Sequence, residues 1–273
     1  MQCLTPVQQP RIELRAGIHA RTNKSWGREC GSATELASPW DNGPPPKSAP
    51  SMSSLPAPIY NPPPGMPTIV HVDECMIVLD KPAGLLSVPG RGPTHADSLA
   101  TRVQAAFPDA RIVHRLDMAT SGLLVMARGL EMERRLSIAF QQRHVEKRYL
   151  AVVAGQPSPE AGEIALPLIA DWPNRPRQKV DFENGKPSLT HYTLLSHDAA
   201  LGHSRVELRP HTGRSHQLRV HMMAIGHPIL GDELYGDLGS RNAASRLLLH
   251  ASELALPHPL TGATLRLGSE APF

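Results

Sequence analysis

The stretch His114-Arg115-Leu116-Asp117-Met118-Ala119-Thr120-Ser121-Gly122 sets one carboxylate beside an arginine and a histidine, just ahead of a turn-forming triplet. Its companions decide what chemistry that carboxylate can do. Glycoside hydrolysis needs two carboxylates flanking the scissile bond, and this stretch holds only Asp117. A nearby arginine favours the ionised form of an acid, so Arg115 suits a carboxylate that stays charged rather than one that shuttles protons. An ionised carboxylate can act as a nucleophile. The plainer alternative is a turn former, its oxygen tied to a neighbouring backbone N–H. Taken alone, Asp117 fits that alternative better, so other parts of the chain must decide.

A second chemical stretch is His211-Thr212-Gly213-Arg214-Ser215-His216-Gln217-Leu218-Arg219-Val220-His221. Ser215 is the expected cap of a helix whose apolar face is Leu218, Met222 and Ile225, with Gly226 just past its end and Pro228 beyond. The first turn then carries Arg214, His216, Gln217 and Arg219 next to free helix N–H groups, a place suited to an anion. His211, His216 and His221 do not read as a metal set. A spacing of five turns each about 140° from the last on a helix, and no HExxH motif or cysteine pair is present. Gly213-Arg214-Ser215 also lacks the frame of a phosphate-binding P-loop.

Arg115, Arg148, Arg175, Arg177, Lys179, Arg214 and Arg219 flank these stretches and point to phosphate contacts with a polyanion. Aromatic residues make up only 4% of the chain, too few for a row of stacking platforms. One aromatic, Tyr149, is enough to hold a single flipped base.

The elements that must position these groups mix strands and helices. Residues 68–72 and 76–79 read as a hairpin. Asp97 is the expected cap of a helix with Leu99, Val103 and Phe107 on one face. A strand beginning at Arg111-Ile112-Val113 leads to Asp117; if it persists, Arg115 and Asp117 project to the same side. Thr120-Ser121-Gly122 then supplies the return to a buried strand over 123–127. A helix over 130–142 and strands over 146–155, 164–169, 189–195, 205–209, 247–251 and 264–267 follow, with an irregular basic loop at 171–179. No regular βα alternation appears, so the expected class is α+β.

Residues 1–65 differ from the rest. Pro44-Pro45-Pro46 and Pro62-Pro63-Pro64 punctuate a segment with little apolar periodicity, which reads as a disordered extension. Met52 and Met66 stand as alternative starts. The folded domain is expected over 66–273. Net charge is only +3 and no apolar run approaches the ~20 residues of a membrane helix. Cys3, Cys30 and Cys75 are scattered, as in a reducing compartment, and the expected setting is the cytoplasm.

Taken together, His114-Arg115-Leu116-Asp117 with Thr120-Ser121-Gly122-Leu123-Leu124 resembles the signature of the RluA family of pseudouridine synthases. Lys81-Pro82-Ala83-Gly84-Leu85, Lys147-Arg148-Tyr149, Gly213-Arg214-Ser215-His216-Gln217-Leu218-Arg219, His227-Pro228-Ile229-Leu230-Gly231-Asp232 and Leu247-Leu248-Leu249-His250-Ala251 are similar to its other motifs, in the same order. Leu85-Leu86-Ser87-Val88-Pro89-Gly90-Arg91 and Asp171-Trp172-Pro173-Asn174-Arg175-Pro176 are closest to the member that gives the family its name. The resemblance implies a pseudouridine synthase fold, a large mixed, mainly antiparallel sheet flanked by helices with a catalytic cleft across it, without an S4 RNA-binding domain, acting as a monomer on tRNA and 23S rRNA. It implies Asp117 as the carboxylate that breaks the glycosidic bond, by direct attack on the sugar or by supporting an eliminated intermediate. Tyr149 would stack on the flipped uracil, and Arg219 would pair with Asp117. Arg115 would fill the vacated space, and Leu248 or a neighbour would floor the pocket. Arg115, His114, Arg148, Arg175, Arg177, Arg214, His216 and Gln217 are the expected RNA contacts, and neither metal nor cofactor is required. The rival reading is a non-catalytic RNA-binding or remodelling protein, which would have no need of Asp117, Tyr149 and Arg219 together.

Overall fold

The computed structural model describes Arg11–Ile12 and residues 60–273. Its strands are β1 (Arg11–Ile12), β2 (Thr68–Val72), β3 (Met76–Lys81), β4 (Ala110–Ile112), β5 (Ser121–Arg128), β6 (Glu146–Ala154), β7 (Ala161–Ile164), β8 (Leu168–Ala170), β9 (Gln178–Val180), β10 (Thr190–Asp198), β11 (His203–Pro210), β12 (Leu249–Pro257) and β13 (Thr264–Gly268). The helices are α1 (Leu99–Ala106), α2 (Gly129–Gln141), α3 (Gln217–Ala224) and the short α4 (Leu238–Asn242).

Eleven strands form one sheet in the order β1-β7-β10-β11-β6-β12-β5-β3-β2, with β13 beside β12 and β4 beside β5; β8 and β9 form a separate pair. The large sheet is mainly antiparallel, with parallel pairs at β1–β7 and β12–β5. The fold is therefore α+β with a mixed sheet, as the residue pattern implies.

The apolar run of β5 follows from burial on both faces. Successive side chains alternate across a strand. Leu123 and Val125 join Met76, Val78, Leu136 and Ala139 under α2, while Leu124 and Met126 join Ile77, Leu79, Leu99 and Val103 under α1. A strand covered on both sides reads as a continuous hydrophobic stretch. A third cluster packs Leu218 and Met222 of α3 against Ile164, Tyr192, Val206 and Leu208.

Local chemistry moves several expected boundaries. The cap of α1 is Ser98, not Asp97: Ser98 Oγ accepts the Thr101 N–H at 3.2 Å and Thr101 Oγ1 accepts the Ser98 N–H at 2.9 Å. Asp97 instead takes a bidentate pair from Arg102 at 2.8 and 2.6 Å. The single strand expected over 164–169 is two strands, β7 and β8, separated by Ala165, Leu166 and Pro167, because proline cannot donate to a ladder. Helix α3 is capped by His216, at φ 54°, and not by Ser215.

The expected extension over 1–65 lies largely outside the described residues. Two of its pieces are described. Arg11–Ile12 pairs with the open edge of β7, whose unpaired backbone groups can take a further strand. Tyr60 is already packed, six residues before 66: its hydroxyl donates to the Asp97 carbonyl and accepts the Leu86 N–H, both at 3.0 Å. Arg102 then holds the Pro63 and Gly65 carbonyls at 2.7 and 2.6 Å. Among the described residues no helix is long and apolar enough to cross a membrane.

Candidate active site

Strand β4 ends at Ile112, so Arg115 and Asp117 sit in a loop and not on a pleat. The loop is nonetheless firmly held. Ser87 Oγ donates to the Leu116 carbonyl at 2.6 Å and accepts the Leu116 N–H at 3.1 Å. Lys81, wholly buried, donates its three protons to the carbonyls of Leu85 (2.7 Å), Pro82 (2.9 Å) and Met118 (3.0 Å). Burial pushes the Lys81 ammonium down to about 7, opposed by the Asp117 charge. Those carbonyls supply three acceptors, the number an ammonium needs. Ser121 and Gly122 are not the expected return but the first residues of β5. Gly122, at φ 110°, lies so close to Ala251 of β12 that a Cβ would meet its backbone at 2.4–2.5 Å. Glycine here permits the parallel strand contact beneath the loop.

Opposite the loop, α3 presents Arg219. Its Nε and Nη2 grip Asp232 at 2.8 and 2.7 Å, and its Nη1 reaches Asp117 Oδ2 at 3.3 Å. Arg219 is only 4% exposed and Asp232 1%, so this is a buried ion pair extended to a third, half-buried group. Asp232 is further satisfied by the N–H groups of Leu234 and Tyr235. His216 Nε2 lies 3.9 Å from the same Asp117 oxygen. Asp117 Oδ2 therefore faces two nitrogen groups, whereas no side-chain or backbone partner of Oδ1 is found among the described residues.

Tyr149, on β6, packs against both the α3 cluster and the α1 cluster and is half-buried. Burial, reinforced by the Asp117 charge, pushes its phenol well above the usual tyrosine range. It is a neutral ring bearing a proton at any physiological pH. Leu248 is half-buried between Leu247 and Leu249, which point into the core.

Three expected RNA contacts are corrected. His114 stacks on Phe140 at 4.5 Å, and its Nε2 accepts the Val125 N–H at 3.0 Å; burial pushes its imidazole down to about 3, so it is a neutral packing group. Gln217 is buried, tying Thr212, the Arg214 N–H, the Leu189 carbonyl and Thr190 together at the entry to α3. Arg148 is engaged by both Glu207 and Glu253, which neutralise it. Arg115, Arg175, Arg177 and Arg214 are exposed and make no ion pair among the described residues. Arg175 stacks on Trp172, its guanidinium carbon 4.0 Å from the ring centre. Residue types alone did not single out Asp232 or Tyr235. Both follow Gly231, and only the return of that segment onto α3 gives them meaning.

The three evenly spaced histidines take separate partners: His211 meets Arg143, His216 meets Tyr235, and His221 meets Ser188 and Thr190. Elsewhere, Asp73, Cys75 and His258 bring ligand atoms within 4.8 Å of one another. The hydrogen bonds there oppose a metal ion. The Leu260 and Thr261 N–H groups both donate to His258 Nδ1 at 3.3 Å, which places the ring proton on Nε2, facing Asp73. A ligating imidazole needs the reverse, a lone pair toward the metal and an N–H on its far side.

The family model described as RNA pseudouridylate synthase matches residues 75–224. The chain is 51% identical over 216 residues to the dual-specificity RNA pseudouridine synthase RluA of Escherichia coli strain K12, covering 78% of this chain and 98% of that protein. It is equally identical over 205 residues to the protein of the same name from Yersinia pestis, covering 75% of this chain and 99% of that one. Among solved structures, human RNA Pseudouridylate Synthase Domain Containing 1 aligns with a TM-score of 0.64 at 30% identity, over 81% of this chain and 87% of that chain. Human RNA Pseudouridylate Synthase Domain Containing 4 aligns with a TM-score of 0.60 at 26% identity, over 75% of this chain and 88% of that chain.

Proposed function

The chain belongs to the RNA pseudouridylate synthase family and is an isomerase of uridine in RNA; from that premise we propose that Asp117 is its catalytic carboxylate, acting through Oδ1. The observation that carries this is the one-sided environment of the acid. Oδ2 is held by Arg219, itself anchored on Asp232, while Oδ1 has no partner among the described residues. A fixed, ionised carboxylate with one free oxygen is the arrangement nucleophilic or charge-stabilising chemistry requires.

Pseudouridine formation breaks the N1–C1′ bond of uridine, turns the base and joins C5 to C1′. A proton leaves C5 and another is restored to N1, so nothing is oxidised, reduced or transferred to a second molecule. The chain's own side chains suffice for such a step. The Tyr149 ring offers a face to a flipped uracil, and its protonated hydroxyl is available as a donor. On this reading Arg115, exposed in the Asp117 loop, fills the position the base leaves, a role supported by motif resemblance.

The substrates we infer are a uridine of the tRNA anticodon stem-loop and one of a 23S rRNA hairpin. Motif resemblance and the dual-specificity name of the relatives that are 51% identical support this. Arg175, Arg177 and Arg214 are the phosphate contacts of that reading, since their charges are not already engaged by acids. The scattered cysteines, of which Cys75 is a free buried thiol, support a reducing, cytoplasmic setting. Incubation with tRNA and with 23S rRNA fragments, followed by mapping of pseudouridine, is expected to give one discrete modified position in each. Modification of only one RNA class would overturn the dual reading, and modification of neither would leave the RNA-binding alternative.

A further inference from the structure

His216 adopts a left-handed backbone at φ 54°, uncommon outside glycine, and this aims its ring between Tyr235 and Asp117. Its Nδ1 lies 2.6 Å from the Tyr235 hydroxyl, and its Nε2 lies 3.9 Å from Asp117 Oδ2. The Tyr235 hydroxyl accepts the backbone N–H of Gln178 at 2.7 Å. With that acceptor role filled, its single proton has one acceptor among the described residues, His216 Nδ1. Burial pushes the Tyr235 phenol up to about 12, so the proton is retained. Burial also lowers His216, with the Asp117 charge opposing, which favours a neutral ring. A neutral imidazole that accepts at Nδ1 must carry its proton at Nε2, the nitrogen facing Asp117.

We propose that His216 is a positioning residue for Asp117: the Gln178 amide and the Tyr235 hydroxyl lock it as the Nε2–H tautomer, which presents a neutral donor to Asp117 Oδ2. Arg219 and His216 then restrain the same oxygen from two sides and leave Oδ1 to the substrate. The 3.9 Å gap closes when RNA fills the site, as catalytic contacts that are long in a free enzyme commonly do. Gln178 begins β9, immediately after the exposed Arg175–Arg177 segment. The loop that carries the proposed RNA contacts is thus joined to Asp117 through two hydrogen bonds, one imidazole and its 3.9 Å approach to Oδ2. This inference rests on Asp117 being the catalytic carboxylate.

The test uses the full chain with ring-labelled histidine. Nitrogen NMR should show His216 in the wild type as a neutral Nε2–H tautomer. Tyr235→Phe keeps the ring beneath Arg219, whose guanidinium carbon lies 5.1 Å from the ring centre, but removes the hydroxyl. It should mix the tautomers and lower kcat by roughly tenfold, the size of one hydrogen bond, with KM for RNA within about twofold. Two replacements of His216 separate positioning from backbone tolerance. Glutamine puts an amide donor near the Nε2 position, whereas asparagine cannot reach it but tolerates a left-handed backbone better. On a purely structural role, His216→Asn would be the more active as well as the more stable protein. On the proposal, His216→Gln retains more activity despite a lower Tm. An Nδ1–H tautomer in the wild type, unchanged kcat in Tyr235→Phe, or asparagine outperforming glutamine would each overturn it. If Asp117→Asn kept full turnover, the catalytic assignment itself would fail. If Asp117→Asn were inactive while Tyr235→Phe was fully active, only the role of His216 would fail.

Discussion

Asp73 and Asp117 each lie in a connection between strands, and each has a histidine nitrogen near one carboxylate oxygen, yet they are used in opposite ways. Asp73 is saturated. Its Oδ1 accepts the N–H groups of Cys75 and Met76 at 2.7 and 2.9 Å, and its Oδ2 takes His71 at 2.7 Å and His258 at 3.3 Å. Burial pushes its pKa up, but the His71 bond and the two backbone amides outweigh this, and it lies below the usual aspartate range. It is the turn former that residue preferences describe. Asp117 has the same side chain at a comparable connection, but its backbone carbonyl, not its carboxylate, closes the local turn, at 3.1 Å from the Thr120 N–H. Its carboxylate is held only on one side, from elements distant in the chain. A turn acid satisfied by its own turn is structural; one oriented from outside with an oxygen to spare is available for chemistry.

The largest effect should come from removing the outside support. Arg219→Met leaves Asp232 as a buried, uncompensated charge, and loss of one partner of such a pair costs about 3–5 kcal/mol. Thermal or urea denaturation should show that loss together with a collapse of pseudouridine formation. A stable, active Arg219→Met protein would put the two aspartates on the same footing.

Asp73→Asn should show the complementary behaviour. It weakens the acceptor that serves two amides and two histidines, at a cost on the order of 1–3 kcal/mol. Its kcat on RNA should stay within about twofold of the wild type. A kcat loss with unchanged Tm would invert the comparison.

Acid sharpens the contrast more gently. His221, a wholly buried residue of α3, is pushed by burial down to about 4, against an opposing contribution from the Leu166 carbonyl. Its folded value lies below the ordinary histidine value, so the unfolded chain binds the extra proton between about pH 6.5 and 4, and stability must fall as pH falls through that window. At pH 5 the loss from His221 is about 2 kcal/mol. The depressed pKa of Asp73 acts lower: its contribution is complete above the unfolded aspartate value near 3.9 and is lost only below it. Tm should therefore decline from pH 7 to 5 with the same slope in Asp73→Asn as in the wild type. A flattened slope in that variant would assign the acid sensitivity to the wrong region.

Much of the frame was legible in the residues. The alternation of β11, the doubly covered run of β5 and the stripe of α2 follow from periodicity, and each is present. What residue types could not show was which charges already had partners. Arg148 reads as a free cation, but its two glutamates come from β11 and β12. His114 reads as a companion of Asp117 but is packed beneath Phe140. No local pattern marks Asp232 or Tyr235 for the site, yet Asp232 anchors Arg219, and Tyr235 meets Gln178 from 57 positions away. The Asp117–Arg219 contact itself spans 102 positions. It is expected only from family resemblance, because no local pattern encodes it.

The role of Asp117 is tested by single-turnover pseudouridine formation in Asp117→Asn at saturating RNA, with binding measured on the same preparation. The substitution preserves the shape of the side chain and removes the charge that Arg219 holds. On the proposal that Arg175, Arg177 and Arg214 carry the phosphate contacts, RNA affinity within about threefold of the wild type is expected, with no pseudouridine formed. Turnover at the wild-type rate would contradict the central claim.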